Sequence, residues 1–332
     1  MAASGRVVVF GSLNVDSTSY VASFPEPGET ILSHGFQVAL GGKGSNQAVA
    51  AHVAGAPVDL VARIGADATG DFAIATLARF GLPTGAIARH PDAPTGVAQI
   101  TVADSGENSI IVTGGANLAL TPEVVDAERA RIVSAALVLT QGELPVATID
   151  RLAAVADDAG VRFVLNLAPP AAVAEPTLAA ADPLVVNEHE ARAVGVGTDA
   201  AAASLDEWRE HAVSAVGRIA RSVVVTLGAA GAVAASGEGS WTAAAPSVDA
   251  VDTTGAGDGF TGTLAAFLAE GRPLEEALRI AVAAGALAVQ ARGTVDAYAP
   301  RDAVLRAAGL DEAGDAWDAA GGAADDAGDA TA

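Results

Sequence analysis

The 332-residue chain has no cysteine, a single lysine, and aromatic residues at only 4% of its positions. Without cysteine there is no disulfide framework, no thiolate nucleophile, and no cysteine-ligated zinc ribbon or iron–sulfur cluster, which fits a reducing cytoplasm. Positive charge is also scarce: 18 Lys and Arg stand against 40 Asp and Glu, for a formal charge of −22. Nucleic acid and anionic membranes are gripped through positive fields, so neither is expected as a partner. No stretch reaches the roughly 18 uninterrupted apolar residues of a membrane span. The apolar run Val7–Phe10 is too short for a signal-peptide core. The five histidines (His34, His52, His90, His189, His211) show no metal-ligand spacing, and no G-x-S-x-G elbow occurs.

What is present is apolar: 51% of residues are hydrophobic, enough to bury a large core. Residues 6–12 predict a buried strand, with Asn14 and Asp16 at its carboxyl-terminal mouth or in a following turn. Residues 18–37 suggest short strands and turns, 45–54 a helix, 58–64 a strand and 71–80 a helix. Residues 96–113 alternate apolar and polar on both sides of a Ser-Gly turn and predict a hairpin. Beyond Pro122, strands (136–140, 162–167, 183–186, 222–227) alternate with helices (149–157, 202–220), the pattern of a mostly parallel sheet covered on both faces. Short antiparallel strands in 231–245 and helices at 257–268, 274–290 and 302–308 complete it. Residues 311–332 hold seven acids and no base, so a disordered acidic tail is expected; the rest of the chain still carries −15.

Scarcity marks the motifs. The only lysine, Lys43, falls inside Gly41-Gly42-Lys43-Gly44-Ser45-Asn46-Gln47, a coincidence of about two in a hundred by chance. Asparagine occurs only at 14, 46, 108, 117, 166 and 187. The segment Asp252-Thr253-Thr254-Gly255-Ala256-Gly257-Asp258 opens an apolar helix. Its small residues allow backbone N–H groups to converge as an anion site reinforced by the helix dipole. Asp258 is placed there either as a proton acceptor for an attacking hydroxyl or simply as a favourable first-turn acid. Gly257-Asp258-Gly259-Phe260-Thr261-Gly262 also matches G-x-G-x-x-G, but a second helix follows where a dinucleotide unit needs a strand ending in an acid. A Walker A loop fails because Lys43 is followed by Gly44.

Asn14-x-Asp16, the block at 41–48, GENSI with Gly115-Ala116-Asn117, Glu143, VNEHE at 186–190, TLGAAG at 226–231 and DTTGAGD at 252–258 run in order from about residue 5 to 308. The set resembles the ribokinase branch of the PfkB carbohydrate kinases. The resemblance implies an α/β fold, a ribokinase-like three-layer sandwich with a mostly parallel central sheet and a small β-sheet lid. It implies one kinase domain over 1–310, lid segments at about 16–40 and 95–113, and a homodimer formed through the lid. Gly41 and Gly42 would act as a hinge between sheet and lid.

The activity it implies is ATP-dependent phosphorylation of D-ribose at the 5-hydroxyl. The residues matching the family's sugar ligands are Asn14, Asp16, Gly42, Lys43, Asn46 and Glu143. Asp258 matches the general base, and Gly255, Ala256 and Gly257 match the anion hole. Asn187 and Glu190 match an element that places phosphate and Mg²⁺, while Thr226, Gly228 and Gly231 border the nucleotide. Asp252 and Thr254, with backbone oxygens at Ala288, Ala291 and Gly293, match a monovalent-cation (K⁺) site. Two positions depart from the pattern: Val282 replaces a polar residue near adenine, and Ala297 replaces a serine at the cation site. The rivals are a kinase of this fold acting on another sugar or a nucleoside, and a non-catalytic sugar-binding protein. Few aromatics near the lid (Tyr20, Phe24, Phe36) weigh against a nucleoside, and an intact Asp258 weighs against mere binding.

Overall fold

A computed structural model describes residues 5–197 and 204–310; the acidic segment 311–332 lies outside the described residues. Thirteen strands occur among them: β1 (Val7–Phe10), β2 (Asn14–Val21), β3 (Gly35–Gly41), β4 (Val58–Gly65), β5 (Ile87–His90), β6 (Gly96–Ala103), β7 (Asn108–Thr113), β8 (Leu137–Gln141), β9 (Arg162–Asn166), β10 (Ala181–Asn187), β11 (Val223–Thr226), β12 (Ala232–Ser236) and β13 (Gly239–Ala243). Nine build the main sheet in the order β13-β12-β11-β10-β9-β8-β1-β4-β5. From β11 to β5 all neighbours are parallel, and β12 and β13 add an antiparallel edge.

The sheet is buried on both faces because its strands are continuously apolar rather than alternating. In β1, Val7 and Val9 join one core, together with residues of the helices Lys43–Val53, Ala256–Ala269 and Leu274–Ala288. Val8 and Phe10 join the other, with the helices Val146–Asp158 and Leu205–Ala215. The result is the expected three-layer sandwich. On the first face two helices lie unusually close: a Cβ at Gly262 of the Ala256–Ala269 helix would overlap the backbone oxygen of Gln47 and meet Ala50 Cβ at 2.7 Å.

A separate four-stranded sheet, ordered β3-β2-β6-β7, stands at the carboxyl end of β1. Strands β2 and β6 are parallel, and each carries an antiparallel partner. The chain passes from β1 into β2 through only Gly11, Ser12 and Leu13, and from β3 into the Lys43–Val53 helix through Gly42. Two short connections therefore fix the small sheet over the end of the large one. Asn14 and Asp16 lie in β2, not in a turn, and residues 18–37 supply long parts of β2 and β3 around a turn-rich connection. The helix expected over 202–220 ends at Ala215: Val216 turns extended (ψ 129°) and Gly217 takes φ 73°.

Candidate active site

Asp258 sits in the first turn of the Ala256–Ala269 helix, 6% exposed. The turn before it is set by Gly255, whose φ of 73° lies in the left-handed region that favours glycine. The hydroxyl of Tyr298 donates to Gly255 O at 3.1 Å and holds that turn from behind. The first-turn amides of Gly257 and Asp258 lack intrahelical acceptors and carry the positive end of the helix dipole. Both oxygens of Asp258 accept hydrogen bonds, from Asn46 Nδ2 at 3.0 Å and Gln47 Nε2 at 2.8 Å.

The expected sugar ligands converge here. Glu143 accepts from the backbone N–H of Lys43 at 3.0 Å and from the hydroxyl of Ser12, pinning the start of the Lys43–Val53 helix to the end of the sheet. The same Ser12 hydroxyl accepts from Gly44 N at 3.2 Å. Asn117 accepts from Leu13 N at 2.9 Å and donates to Asn14 Oδ1 at 2.7 Å, which leaves the Asn14 amide nitrogen free to face a ligand. Gly42 (φ 87°) caps the helix against the backbone of Asn14, and a Cβ at Gly41 would overlap the Asp16 carboxylate.

The charges interact strongly. Burial, then the carboxylates of Glu143 and Asp258, pushes the Asp16 carboxyl up to about 6. Asp258 in turn raises the Lys43 ammonium, against the opposing effect of burial and with help from Glu143 and Glu190. Burial raises Glu190, partly offset by the hydrogen bond from Asn187 N. The single lysine is thus held charged among three carboxylates, those of Asp258, Glu143 and Glu190.

Lys43, Asn187, Glu190, Thr226, Gly255, Gly257 and Asp258 border one cavity of about 140 Å³. Asn187 and Glu190 form a capping box, Glu190 N to Asn187 Oδ1 at 2.9 Å and Asn187 N to Glu190 Oε2 at 2.8 Å, so one Glu190 oxygen remains available. Among the described residues no group of three or more His, Cys, Asp or Glu could hold a metal. The available Glu190 oxygen beside this cavity suits Mg²⁺, which binds few protein ligands and keeps water and phosphate oxygens.

A second cavity, about 520 Å³, shares Thr226 and Gly257 with the first and is bordered by Gly228, Gly231 and Ala256. Its lining includes the apolar side chains of Val248, Phe260, Val282 and Val289, so Val282 presents no hydrogen-bonding group to this cavity. Nearby, Asp252 accepts from Thr254 N at 2.9 Å and Gly293 N at 3.0 Å. Burial pushes the Asp252 carboxyl up, but these bonds bring it below the usual range. Ala288 and Ala291 are joined to each other at the end of the Leu274–Ala288 helix, whose last carbonyls attract cations. The bonds to Asp252 tie the loop at Gly293 to the segment that leads into Gly255.

The PfkB carbohydrate-kinase family model matches residues 4–301. The chain belongs to that family. Ribokinase from Haemophilus influenzae is 36% identical over 303 residues, covering 90% of this chain and 97% of the relative. Deoxyribokinase from Salmonella typhi is 32% identical over 294 residues, covering 88% and 95%. A solved structure of Arabidopsis thaliana ribokinase complexed with ribose and ATP superposes with a TM-score of 0.83 at 32% identity, covering 91% of this chain and 98% of that one. As a PfkB carbohydrate kinase the protein is a phosphotransferase, and its site has two connected compartments, as transfer between two substrates requires.

Sequence reading did not single out Ser12, Gln47, Gln141, Asn166 or Tyr298 as site residues. Rarity would have pointed to some of them: only five glutamines occur (37, 47, 99, 141, 290), and two of them stand behind Asp258.

Proposed function

We propose that the protein phosphorylates D-ribose with ATP at the 5-hydroxyl, giving ribose 5-phosphate and ADP. The observation that carries this reading is Asp258, a nearly buried carboxylate at a helix N-terminus that borders the smaller cavity, next to Gly257, which borders both. Support for ribose comes from the ribokinases at 36% identity and from the ribose- and ATP-bound relative.

The sugar lies under the small sheet, oriented by Asn14, Asp16, Lys43, Asn46 and Glu143, with its hydroxyl at Asp258. Asp258 takes the hydroxyl proton as the sugar oxygen bonds to the γ-phosphorus, and the bond from that phosphorus to the β,γ-bridging oxygen breaks to release ADP. The free amides of Gly257 and Asp258, in the turn that Gly255 sets, and the Lys43 ammonium hold the charge of the transferring group, while the expected Ala256 amide is engaged with Thr253 O at 3.3 Å. Mg²⁺, near Asn187 and Glu190, supplies charge neutralisation to the phosphates when bound. Thr226, Gly228 and Gly231 border the nucleotide, and Asp252 and Thr254, with backbone oxygens at Ala288, Ala291 and Gly293, would hold K⁺, which would add positive charge beside the anion hole.

The kinase domain spans residues 1–310, and the small sheet is its lid, closing to exclude water that would otherwise hydrolyse ATP. Exposed Phe36, Val38 and Ile111 share the face of that sheet opposite Asp16 and form an apolar surface suited to pairing with the lid of a second copy. The test is coupled ADP release with Mg-ATP and K⁺ across pentoses, 2-deoxyribose, hexoses and nucleosides. D-ribose should show the highest kcat/KM. Preference for 2-deoxyribose would move the assignment toward the Salmonella typhi relative, and sugar binding without turnover would overturn a catalytic role.

A further inference from the structure

Behind Asp258, four side chains from separate parts of the chain form a buried row of amides and acid. Gln141 at the end of β8 and Gln47 in the Lys43–Val53 helix are both 0% exposed; Asn166 at the end of β9 is 7% exposed. Gln141 Nε2 donates to Gln47 Oε1 at 2.9 Å. Gln47 Nε2 donates both to Asp258 Oδ1 and to Asn166 Oδ1, each at 2.8 Å. Asn166 Nδ2 donates to Val185 O at 3.0 Å.

The direction of every bond follows from one fixed end. Val185 O is a carbonyl and can only accept, so Asn166 must turn its NH₂ toward it and its oxygen toward Gln47. Gln47 must then present NH₂ to Asn166, and the same NH₂ group meets Asp258. Its oxygen is left to accept from Gln141. Such a row is satisfied in one orientation only, and the tight approach at Gly262 leaves the Gln47 backbone little room to move. Gln141 Oε1 is left without a partner among the described residues, so the row is complete only at its Asp258 end.

We propose that Gln47 is a positioning residue for the catalytic base: oriented by Gln141 and Asn166, it holds Asp258 Oδ1 so that the carboxylate's remaining lone pairs point at the sugar hydroxyl. This rests on the reading of Asp258 as base. Gln47 has no exposed surface and borders neither cavity, so it acts through the two side chains it holds there, Asp258 and Asn166.

Gln47→Met keeps length and volume and removes both donors. Loss of a hydrogen bond to a charged group should lower kcat about tenfold or more. The sugar dissociation constant, read by calorimetry, should stay within about threefold because Gln47 does not border the cavity. In an Asp258→Asn background the same change should alter the residual kcat by less than about twofold, since coupled residues lose their effect together. A wild-type kcat with only a lower Tm, or an equal kcat loss in both backgrounds, would overturn the proposal. Should Gln47→Met fail to fold, Gln141→Met tests the same row from its far end: a smaller kcat loss at constant sugar affinity is expected, and an unchanged kcat overturns it. A fully active Asp258→Asn enzyme would instead reject the base itself.

Discussion

Asp258→Asn should lower kcat by about 10²- to 10⁴-fold, the range general-base removal commands, while leaving the protein folded and able to bind sugar. The surroundings explain why the fold should survive. Gln47 is locked in orientation and keeps donating to the oxygen of the new amide. The new NH₂ then faces Asn46, whose Oδ1 has no partner among the described residues. A rotation of the Asn46 amide restores the pair with donor and acceptor exchanged. Coupled ADP release gives kcat, and thermal unfolding gives stability. A kcat within tenfold of wild type would mean that another group takes the proton.

Asp16→Asn should move stability and substrate affinity in opposite directions. The folded protein holds the Asp16 carboxyl at about 6 against its ordinary 3.8, because burial and the neighbouring acids disfavour its charge. Between those two values the folded chain binds a proton that the unfolded chain has already lost. Stability therefore falls as pH rises through that window, and above about pH 6 the ionised Asp16 costs up to about 3 kcal/mol. The amide removes this cost, so Tm should rise at pH 7.5, with the difference vanishing below about pH 4. Meanwhile the sugar loses a charged acceptor, and its KM should rise about 10- to 100-fold. In the unmodified enzyme the sugar KM should climb as pH drops below about 6. Equal Tm at pH 7.5 for both proteins would contradict the electrostatic origin of the shift.

The two examples show which parts of the site the sequence exposes. Motifs with a local backbone cause are legible: the small residues at 252–257 predict a turn and a helix start, and both are present. The continuously apolar strands forecast a sheet buried on two faces, which the two cores confirm. Less legible was β2, because Asn14, Asp16, Ser17, Thr18 and Ser19 hide a strand that belongs to the small sheet, with Asn14 and Asp16 on one face and Ser17 and Ser19 on the other, rather than to a buried core. Residues 216–220 continue an apolar pattern that reads as helix, yet Gly217 breaks it. The row behind Asp258 was hidden for a different reason. Residues 47, 141, 166 and 258 meet only after β8, β9 and two helices pack, and no spacing along the chain encodes that meeting.

Resonance spectroscopy of the product tests the central claim most directly. With D-ribose and Mg-ATP, phosphorus and carbon spectra should show one new phosphate ester coupled to C5, formed in equal amount with ADP. Ester at another carbon, or ADP released with free inorganic phosphate and unchanged sugar, would contradict an Asp258 site built to transfer a phosphoryl group to the 5-hydroxyl of ribose.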